Sequence, residues 1–138
     1  MSKGERLIRI IKLPKIKDDC VLCFAQNPEQ IPFKIARIYF ICQPKKGPPR
    51  GRHAHYKNQQ ILFCIRGKVR MLLDNGEKRE EYLMTEPEEG IFLDRLIWHE
   101  MLDMDENTVL LVIASRKFEA EDYIRDYDLF KRIVTSHK

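Results

Sequence analysis

Two histidines separated by one residue, His53 and His55, are the side chains of this sequence best suited to chemistry. Side chains alternate between the two faces of a β-strand, so a strand through this segment would point both imidazoles the same way. Imidazole is a common metal ligand, and its unperturbed pKa of about 6.5 also suits it to proton transfer at neutral pH. The pair therefore predicts either a metal centre or an acid–base site.

Gln60 and His99 bear on the choice between these two kinds of site. The spacing of Gly47, His53, His55, Gln60 and Gly67 resembles the first signature of the cupin β-barrels, and this resemblance implies that a metal centre would use His53, His55 and His99 as nitrogen ligands with a fourth ligand from position 60. Gln60 offers a neutral amide there instead of a carboxylate, which weakens the affinity for a divalent ion. Acid–base catalysis needs no metal, because a histidine can take a proton from a carbon beside a ketone and return it to the adjacent carbon. Gln60 therefore favours proton transfer, with metal binding as the alternative.

The elements that must position these residues are short strands punctuated by turns, which is typical of a β-sandwich or barrel. Besides the histidine segment, strands are predicted at Lys3–Leu13, Val21–Phe24, Ile35–Cys42, Ile61–Ile65, Val69–Leu73, Lys78–Met84, Ile91–Leu93, Leu96–Met101 and Thr108–Ser115. Asn75-Gly76 predicts a type I′ hairpin turn. Glu119–Val134 carries aromatic and apolar residues at helical spacing, which predicts a terminal helix. A purely structural role for the histidines is disfavoured, because the barrel wall would also bury Arg50 and Tyr39.

Composition limits the class of protein. A chain of 138 residues, 43% hydrophobic and 33% charged, predicts one globular domain over residues 1–138. The net charge of +4 without a Lys/Arg cluster argues weakly for an anionic ligand and against nucleic acid. The longest apolar run, Val109–Ala114, is too short to span a membrane. Met1–Arg9 lacks a secretory hydrophobic region, so we expect a cytoplasmic location.

The four cysteines, Cys20, Cys23, Cys42 and Cys64, raise the question of a zinc or redox site. Cys20 and Cys23 form a C-x-x-C pair, but Cys42 and Cys64 are solitary, whereas a structural zinc needs four ligands. The pair also falls on a predicted strand rather than at the start of a helix. We therefore expect all four to be small buried side chains in a reducing compartment.

Motifs along most of the chain resemble a known family. Gly47, His53, His55, Gln60 and Gly67 have the spacing of the first cupin β-barrel signature, with Gln60 in place of the usual glutamate. Arg50-Gly51-Arg52-His53-Ala54-His55 followed by Gln60 resembles more narrowly the signature of the sugar 3,4-ketoisomerases. The similarity continues in Ile31-Pro32-Phe33, Arg37-Ile38-Tyr39, Leu73-Asp74-Asn75-Gly76, Trp98-His99-Glu100-Met101 and the Asp122–Phe130 segment.

The resemblance implies an all-β cupin double-stranded β-helix (a jelly-roll barrel) with a short C-terminal α-helix, assembled as a homodimer and free of metal cofactor. It implies an enzyme that moves the ketone of dTDP-4-keto-6-deoxyglucose from C4 to C3 through an enediol, in the biosynthesis of deoxysugars, including amino sugars, for lipopolysaccharide or other glycans. The candidate catalytic residues are His53, His55 and Tyr39. The candidate substrate-binding residues are Arg37, Arg50, Gln60, Arg70, Trp98 and His99.

Three positions depart from the family pattern. An Asp-x-Arg-Gly-x-Leu turn is usual near the N-terminus, whereas Asp18–Leu22 has no Arg-Gly, so the resemblance leaves open one potential substrate contact and the geometry of this turn. Tyr56 replaces the lysine that commonly follows the second histidine, and Phe40 replaces the second tyrosine of a Tyr-Tyr pair. These changes indicate a divergent subgroup. They leave open the stereochemistry at C4 and the choice between His53 and His55 as the base. A non-catalytic sugar-nucleotide-binding cupin is a further alternative.

Overall fold

The computed structural model describes residues 6–45 and 48–136. Its strands are β1 (Arg9–Lys12), β2 (Lys15–Lys17), β3 (Val21–Cys23), β4 (Arg37–Cys42), β5 (Arg50–His55), β6 (Gln60–Arg66), β7 (Val69–Asp74), β8 (Arg79–Met84), β9 (Glu89–Leu93), β10 (Trp98–Leu102), β11 (Val109–Ala114) and β12 (Tyr123–Ile124). A 3₁₀ turn covers Ala120–Asp122 and helix α1 covers Tyr127–Ser136. Gly47 of the histidine segment and the first residues of the predicted strand Lys3–Leu13 lie outside the described residues.

Two five-stranded antiparallel sheets form the barrel, and the prediction of an all-β fold with a short C-terminal helix is confirmed. The first sheet has the strand order β1-β9-β6-β11-β4 and the second has the order β12-β5-β10-β7-β8. Apolar side chains alternate toward the space between the sheets and are buried there. This core contains Leu62, Cys64, Val69, Met71, Leu73, Met84, Ile91, Leu93, Met101, Leu110 and Val112.

The outer face of each sheet carries its own cover. On the first sheet, the loop before β4 places Ile31 and Phe33 against Phe63 and Phe92. On the second sheet, α1 places Phe130 in a buried cluster with Trp98. The described residues contain no helix with the length and apolar character needed to cross a membrane.

The predicted helix Glu119–Val134 is wrong in its first half. Tyr123 and Ile124 form β12, which pairs with His55 and Ala54 of β5. The helix begins only at Tyr127, where the Asp126 side chain accepts a hydrogen bond from the Leu129 amide at 3.2 Å and caps the first turn. Pairing with β5 therefore overrides the helical spacing of the aromatic residues.

The Asn75-Gly76 turn is also longer than predicted. Asp74 pairs with Arg79, so four residues form the loop, and only Gly76 has a positive φ, of 95°. The Asp74 carboxylate accepts a hydrogen bond from the Gly76 amide at 2.7 Å, and the Asn75 side chain accepts two more from the loop backbone. These local hydrogen bonds favour the wider loop over a two-residue type I′ turn.

The expectation of four buried cysteines is wrong for three of them. Cys64 is buried in the core, whereas Cys20 and Cys42 are exposed and Cys23 is half-buried. Cys42 lies on the outward face of the edge strand β4, and Cys20 and Cys23 belong to the surface hairpin of β2 and β3. All four are free thiols.

Candidate active site

A β-bulge in β5 brings its polar residues to one face. His53 pairs with His99 of β10 and Gly51 pairs with Glu100, so Arg52 is the extra residue of the bulge. Gly51 and Arg52 have φ angles of 82° and 54°, and a Cβ atom on Gly51 would lie 3.2 Å from the carbonyl oxygen of His99. The bulge lets Arg50 and His53, three residues apart, face the same cavity.

Three imidazoles meet on this face. The ring centroids of His53 and His99 are 4.5 Å apart, those of His53 and His55 are 4.9 Å apart, and those of His55 and His99 are 6.1 Å apart. His55 and His99 are almost fully buried, while His53 is half-buried. The predicted convergence of the three histidines is therefore present in the structure.

Burial keeps all three imidazoles neutral. It lowers the pKa of His53, and it lowers that of His99 well below its usual value. Burial and the neighbouring His53 lower the pKa of His55 to about 4, against the opposing effect of the Asp122 carboxylate. At neutral pH each ring therefore has one nitrogen with a lone pair that can accept a proton.

The Nδ1 atoms of the three rings face groups of the surrounding protein. His53 Nδ1 donates to the Gly51 carbonyl oxygen at 2.9 Å, and His99 Nδ1 lies 3.3 Å from the Ile97 carbonyl oxygen. His55 Nδ1 lies 3.4 Å from the Asp122 carboxylate, and neither of its ring nitrogens has a hydrogen-bond partner. A backbone carbonyl at Nδ1 fixes the proton there, so the lone pair of His53 and of His99 is on Nε2.

His53 and His99 form one wall of a cavity of about 360 Å³ that opens to the surface. This volume is within the range of small-molecule sites. The other lining residues are Arg37, Tyr39 and Ile41 of β4, Arg50 and Gly51 of β5, Met101 of β10, and Tyr123 and Arg125 near β12. Three arginines therefore face a cavity whose floor is neutral imidazole, which suits an anionic ligand.

Tyr39 and Gln60 act as a pair. The Tyr39 hydroxyl donates to the Gln60 side-chain oxygen at 2.8 Å, and burial raises the pKa of Tyr39 to about 12. Gln60 is 2% exposed and does not line the cavity. Gln60 therefore lies outside the cavity in this conformation, where its amide oxygen holds the Tyr39 phenol in place.

Two further predicted substrate residues lie away from the cavity. Trp98 is adjacent to His99 on β10 and so points to the opposite face, where its ring packs against Tyr127 and Phe130. Arg70 alternates with the core residues of β7, and its guanidinium pairs with Asp103 at the surface at 3.1 Å. Neither side chain therefore lines this cavity.

The C-terminal segment contributes site residues that the sequence did not predict. The Tyr123 ring lies 4.8 Å from that of His53 and 4.5 Å from that of His55, and the Arg125 guanidinium stacks 4.4 Å from the Tyr123 ring. The carboxylate of buried Asp122 accepts hydrogen bonds from the amides of residues 57 and 58 beside His55. Alternation of Tyr123 and Arg125 about apolar Ile124 is the strand signal that the helix prediction obscured.

The three histidines also fit the donor set of a metal site. One ring nitrogen of each lies within 4.8 Å of the others. At position 60, the neutral amide oxygen of Gln60 accepts the Tyr39 hydrogen bond, which uses one of its two lone pairs.

The antiparallel β-barrel and its cavity, one wall of which is formed by His53 and His99, define a small cupin-like protein. Residues 6–135 match the family FdtA: WxcM-like, C-terminal, and the chain belongs to this family.

Three similar proteins are named as 3,4-ketoisomerases or as a 3,4-oxoisomerase. The chain is 38% identical over 128 residues to the TDP-4-oxo-6-deoxy-alpha-D-glucose-3,4-oxoisomerase of Aneurinibacillus thermoaerophilus, with 91% of each chain covered. A 3,4-ketoisomerase from Helicobacter canadensis superposes with a TM-score of 0.90 at 33% identity, covering 95% of this chain and 99% of that one. A sugar 3,4-ketoisomerase from Thermoanaerobacterium thermosaccharolyticum, solved with TDP, superposes with a TM-score of 0.89 at 34% identity. The superposition covers 94% of this chain and 96% of that one. A histidine-to-asparagine mutant of that enzyme was solved with TDP-4-keto-6-deoxyglucose.

Proposed function

We propose that this protein is a sugar 3,4-ketoisomerase that converts TDP-4-keto-6-deoxyglucose into the corresponding 3-keto sugar. The family and the ketoisomerase relatives support this reaction. The position of His53 is the main structural observation behind this proposal. Its ring lines a cavity that three arginines also line, and its Nε2 atom is unprotonated. In this proposal, His53 is a base beside the binding site of an anionic sugar nucleotide.

His53 is the base in this proposal because it lines the cavity, whereas His55 lies beneath it. His53 Nε2 takes the proton from C3, the C3–H electrons form a C3=C4 double bond, and the C4 carbonyl becomes an enolate oxygen. The imidazolium then returns a proton to C4. The hydroxyl proton of O3 passes to O4, so that C3 becomes the ketone and C4 carries the hydroxyl.

Arg37 stabilises the negative charge of the intermediate. Its guanidinium stacks 5.0 Å from the Tyr39 ring, and its Nε atom is buried without a hydrogen-bond acceptor. A buried donor held in place is suited to a developing oxyanion, because little reorganisation is needed during the reaction. Tyr39 remains a protonated phenol and forms the wall beside Arg37. Arg50 and Arg125 line the same cavity and bind the diphosphate.

His55 orients the base from below, and Asp122 orients His55. The Asp122 carboxylate, fixed by two backbone amides, lies 3.4 Å from His55 Nδ1 and favours a proton on that nitrogen. The edge of one ring meets the face of the other at an interplanar angle of 85°. His55 therefore holds His53 in one orientation while itself remaining neutral.

Exchange of the C3 proton with deuterated water tests the reaction. Metal-free protein kept in chelator should incorporate deuterium into TDP-4-keto-6-deoxyglucose and form the 3-keto product, as followed by mass spectrometry and NMR. His53→Asn should abolish exchange while TDP affinity is retained. TDP binding without any exchange by the wild type would instead identify a non-catalytic sugar-nucleotide-binding protein.

The proposal extends to assembly. Ile38 and Phe40 are 61% and 67% exposed on the outward face of β4, which is an edge strand of the first sheet. An exposed apolar edge strand is a surface on which two copies of a chain can associate. We assign this face to a homodimer of 138-residue chains, each a single cupin domain. Light scattering should give twice the chain mass, and Phe40→Glu should lower it to that of one chain.

The proposed substrate also bears on the cellular location and the pathway of the enzyme. A TDP-sugar carries a charged diphosphate that does not cross membranes unaided, and all four cysteines are free thiols, as expected in a reducing compartment. We therefore assign the enzyme to the cytoplasm. Its 3-keto product is a substrate for amination, which fits a place in the biosynthesis of amino deoxysugars for lipopolysaccharide or other glycans.

A further inference from the structure

We propose that Tyr127 is a positioning residue of the candidate active site and that it holds Arg125 where Arg125 binds the diphosphate of the sugar nucleotide. The identity of that ligand rests on the proposed function. Two features support this role of Tyr127. One is its hydrogen bond to the buried carboxylate of Asp74, and the other is the short segment that joins it to the cavity.

Asp74 is a buried carboxylate that the proposed reaction does not use. It is 2% exposed and accepts hydrogen bonds from the Gly76 amide at 2.7 Å, from Arg79 Nε at 2.9 Å and from the Tyr127 hydroxyl at 2.6 Å. Gly76 and Arg79 belong to the same β7–β8 hairpin as Asp74, whereas Tyr127 is 53 residues further along the chain. Hydrogen bonds to an ionised acceptor are roughly twice as strong as those between neutral groups. Asp74 therefore attaches the first residue of α1 to the end of β7.

Neighbouring contacts support this attachment. The Tyr127 ring packs edge-on against Trp98, with the ring centroids 5.1 Å apart. Trp98 pairs with Asp74 across β10 and β7, so both partners of Tyr127 lie at the same end of the second sheet. One turn further along α1, Lys131 Nζ donates to the Gly76 carbonyl oxygen at 2.9 Å. The start of the helix is therefore held against one end of this sheet.

Only Arg125 and Asp126 separate Tyr127 from β12. That strand is two residues long and pairs with β5. Arg125 is exposed, lines the cavity and stacks 4.4 Å from the Tyr123 ring. The backbone of Arg125 is therefore held on one side by the pairing of β12 with β5 and on the other side by the hydrogen bond between Tyr127 and Asp74.

The two attachments differ in what they hold. Pairing with β5 keeps Tyr123 beside His53 and His55, and this pairing does not involve Tyr127. Guanidinium–phosphate hydrogen bonds depend on geometry, so a displaced Arg125 binds a diphosphate less well. Loss of the Tyr127 hydroxyl should therefore weaken ligand binding and leave the proposed base in place.

Tyr127→Phe tests this role, because phenylalanine keeps the ring and removes only the hydroxyl. The Kd for TDP, measured by calorimetry, and the KM for TDP-4-keto-6-deoxyglucose should each rise about tenfold, which is the scale of one hydrogen bond to a charged group. The kcat should stay close to that of the wild type, because the lost interaction is made equally in the ground state and the transition state. Thermal melting checks that the variant is folded.

Arg125→Gln distinguishes positioning from a general structural effect. R125Q removes the guanidinium and should itself weaken TDP binding. If Tyr127 acts through Arg125, adding Y127F to R125Q should weaken binding no further, whereas two independent losses would multiply. The double variant therefore measures the coupling between the two side chains.

Tyr82→Phe is the matched control. Tyr82 is half-buried like Tyr127, its hydroxyl donates to the Glu89 carboxylate at 2.8 Å, and it does not line the cavity. Y82F should bind TDP as the wild type does. Amide hydrogen exchange, followed by mass spectrometry without ligand, should become faster over residues 123–127 in Y127F and remain unchanged there in Y82F.

Three results would overturn the inference: unchanged TDP affinity in Y127F, an equal loss in Y82F, or independent losses in R125Q and Y127F. Wild-type protein that binds TDP but forms no 3-keto sugar would count against the proposed function alone, since the affinities of the variants would still report the role of Tyr127.

Discussion

Tyr123 pairs with His55 across β12 and β5, and the centroids of their rings are 4.5 Å apart. The Tyr123 ring also lies 4.8 Å from that of His53, so one aromatic side chain contacts both histidines of the β5 pair. The C-terminal segment therefore lines the candidate active site and also covers the second sheet. We therefore expect Tyr123 to help fix the orientation of the proposed base.

Tyr123→Ala should impair catalysis more than folding. Loss of the ring frees His53 and His55 to reorient, and displacement of a catalytic group by about 1 Å lowers kcat by about 100-fold. Tyr123→Phe keeps both ring contacts and should retain most of the activity. Initial rates of the isomerase and thermal melting curves measure the two effects. A kcat of Y123A equal to that of the wild type would show that the ring does not position the histidines.

The sequence predicts the positions of site residues that follow from strand alternation. It does not predict those that depend on pairing between strands distant in sequence. Alternation correctly placed His53 and His55 on one face. The same rule puts Trp98 and His99 on opposite faces, so the expectation that both line the cavity contradicted the strand prediction. Tyr123 shares its helical spacing with residues of α1, and only the partner strand β5, distant in sequence, makes β12 extended.

The bulge in β5 was beyond sequence reasoning for a different reason. Gly51 and Arg52 both have positive φ angles, and arginine gives no local signal for such a conformation. The bulge depends on the register of β5 against β10, which is a property of the assembled sheet. The sequence motif around His53 makes Arg50 a candidate substrate-binding residue. Its presence in the same cavity as His53, however, follows from the bulge.

Gly51→Ala should disrupt both the fold and the site. The residue has a φ of 82°, and its new Cβ atom would lie 3.2 Å from the His99 carbonyl oxygen. The strain should lower the free energy of unfolding by about 1–3 kcal/mol. It should also displace the carbonyl that holds His53 Nδ1 and so reduce kcat.

Gly76→Ala is the matched control for that change. Gly76 also has a positive φ, of 95°, but it lies in the β7–β8 loop against Val134, away from the histidines. Both variants should lose stability in urea denaturation, and only G51A should lose activity in the residual folded protein. Equal kcat values for the two variants would show that the bulge does not contribute to catalysis.

Arg37 and Arg70 should differ sharply when replaced by glutamine. Arg37 lines the cavity with a buried, unpaired Nε–H, and removing one oxyanion donor lowers kcat by roughly 100-fold to 1,000-fold. Arg70 forms an exposed ion pair with Asp103, and such pairs contribute about 0–1 kcal/mol to stability. R70Q should therefore react and bind TDP as the wild type does. Steady-state kinetics and TDP titration compare the variants, and a raised KM in R70Q would restore Arg70 to the substrate site.

Acidification should destabilise the metal-free protein through His55. Its pKa is about 6.5 in the unfolded chain and about 4 in the folded protein, so below pH 6.5 the unfolded chain binds a proton that the folded chain does not. The stabilisation is present above pH 6.5 and is lost progressively as the pH falls toward 4. Between pH 7 and pH 5 the free energy of unfolding should fall by about 2 kcal/mol from this residue alone. Urea denaturation in EDTA at both pH values measures the loss, which His55→Asn should reduce because asparagine does not titrate. An equal loss in the wild type and H55N would show that His55 is already protonated in the folded protein at pH 5.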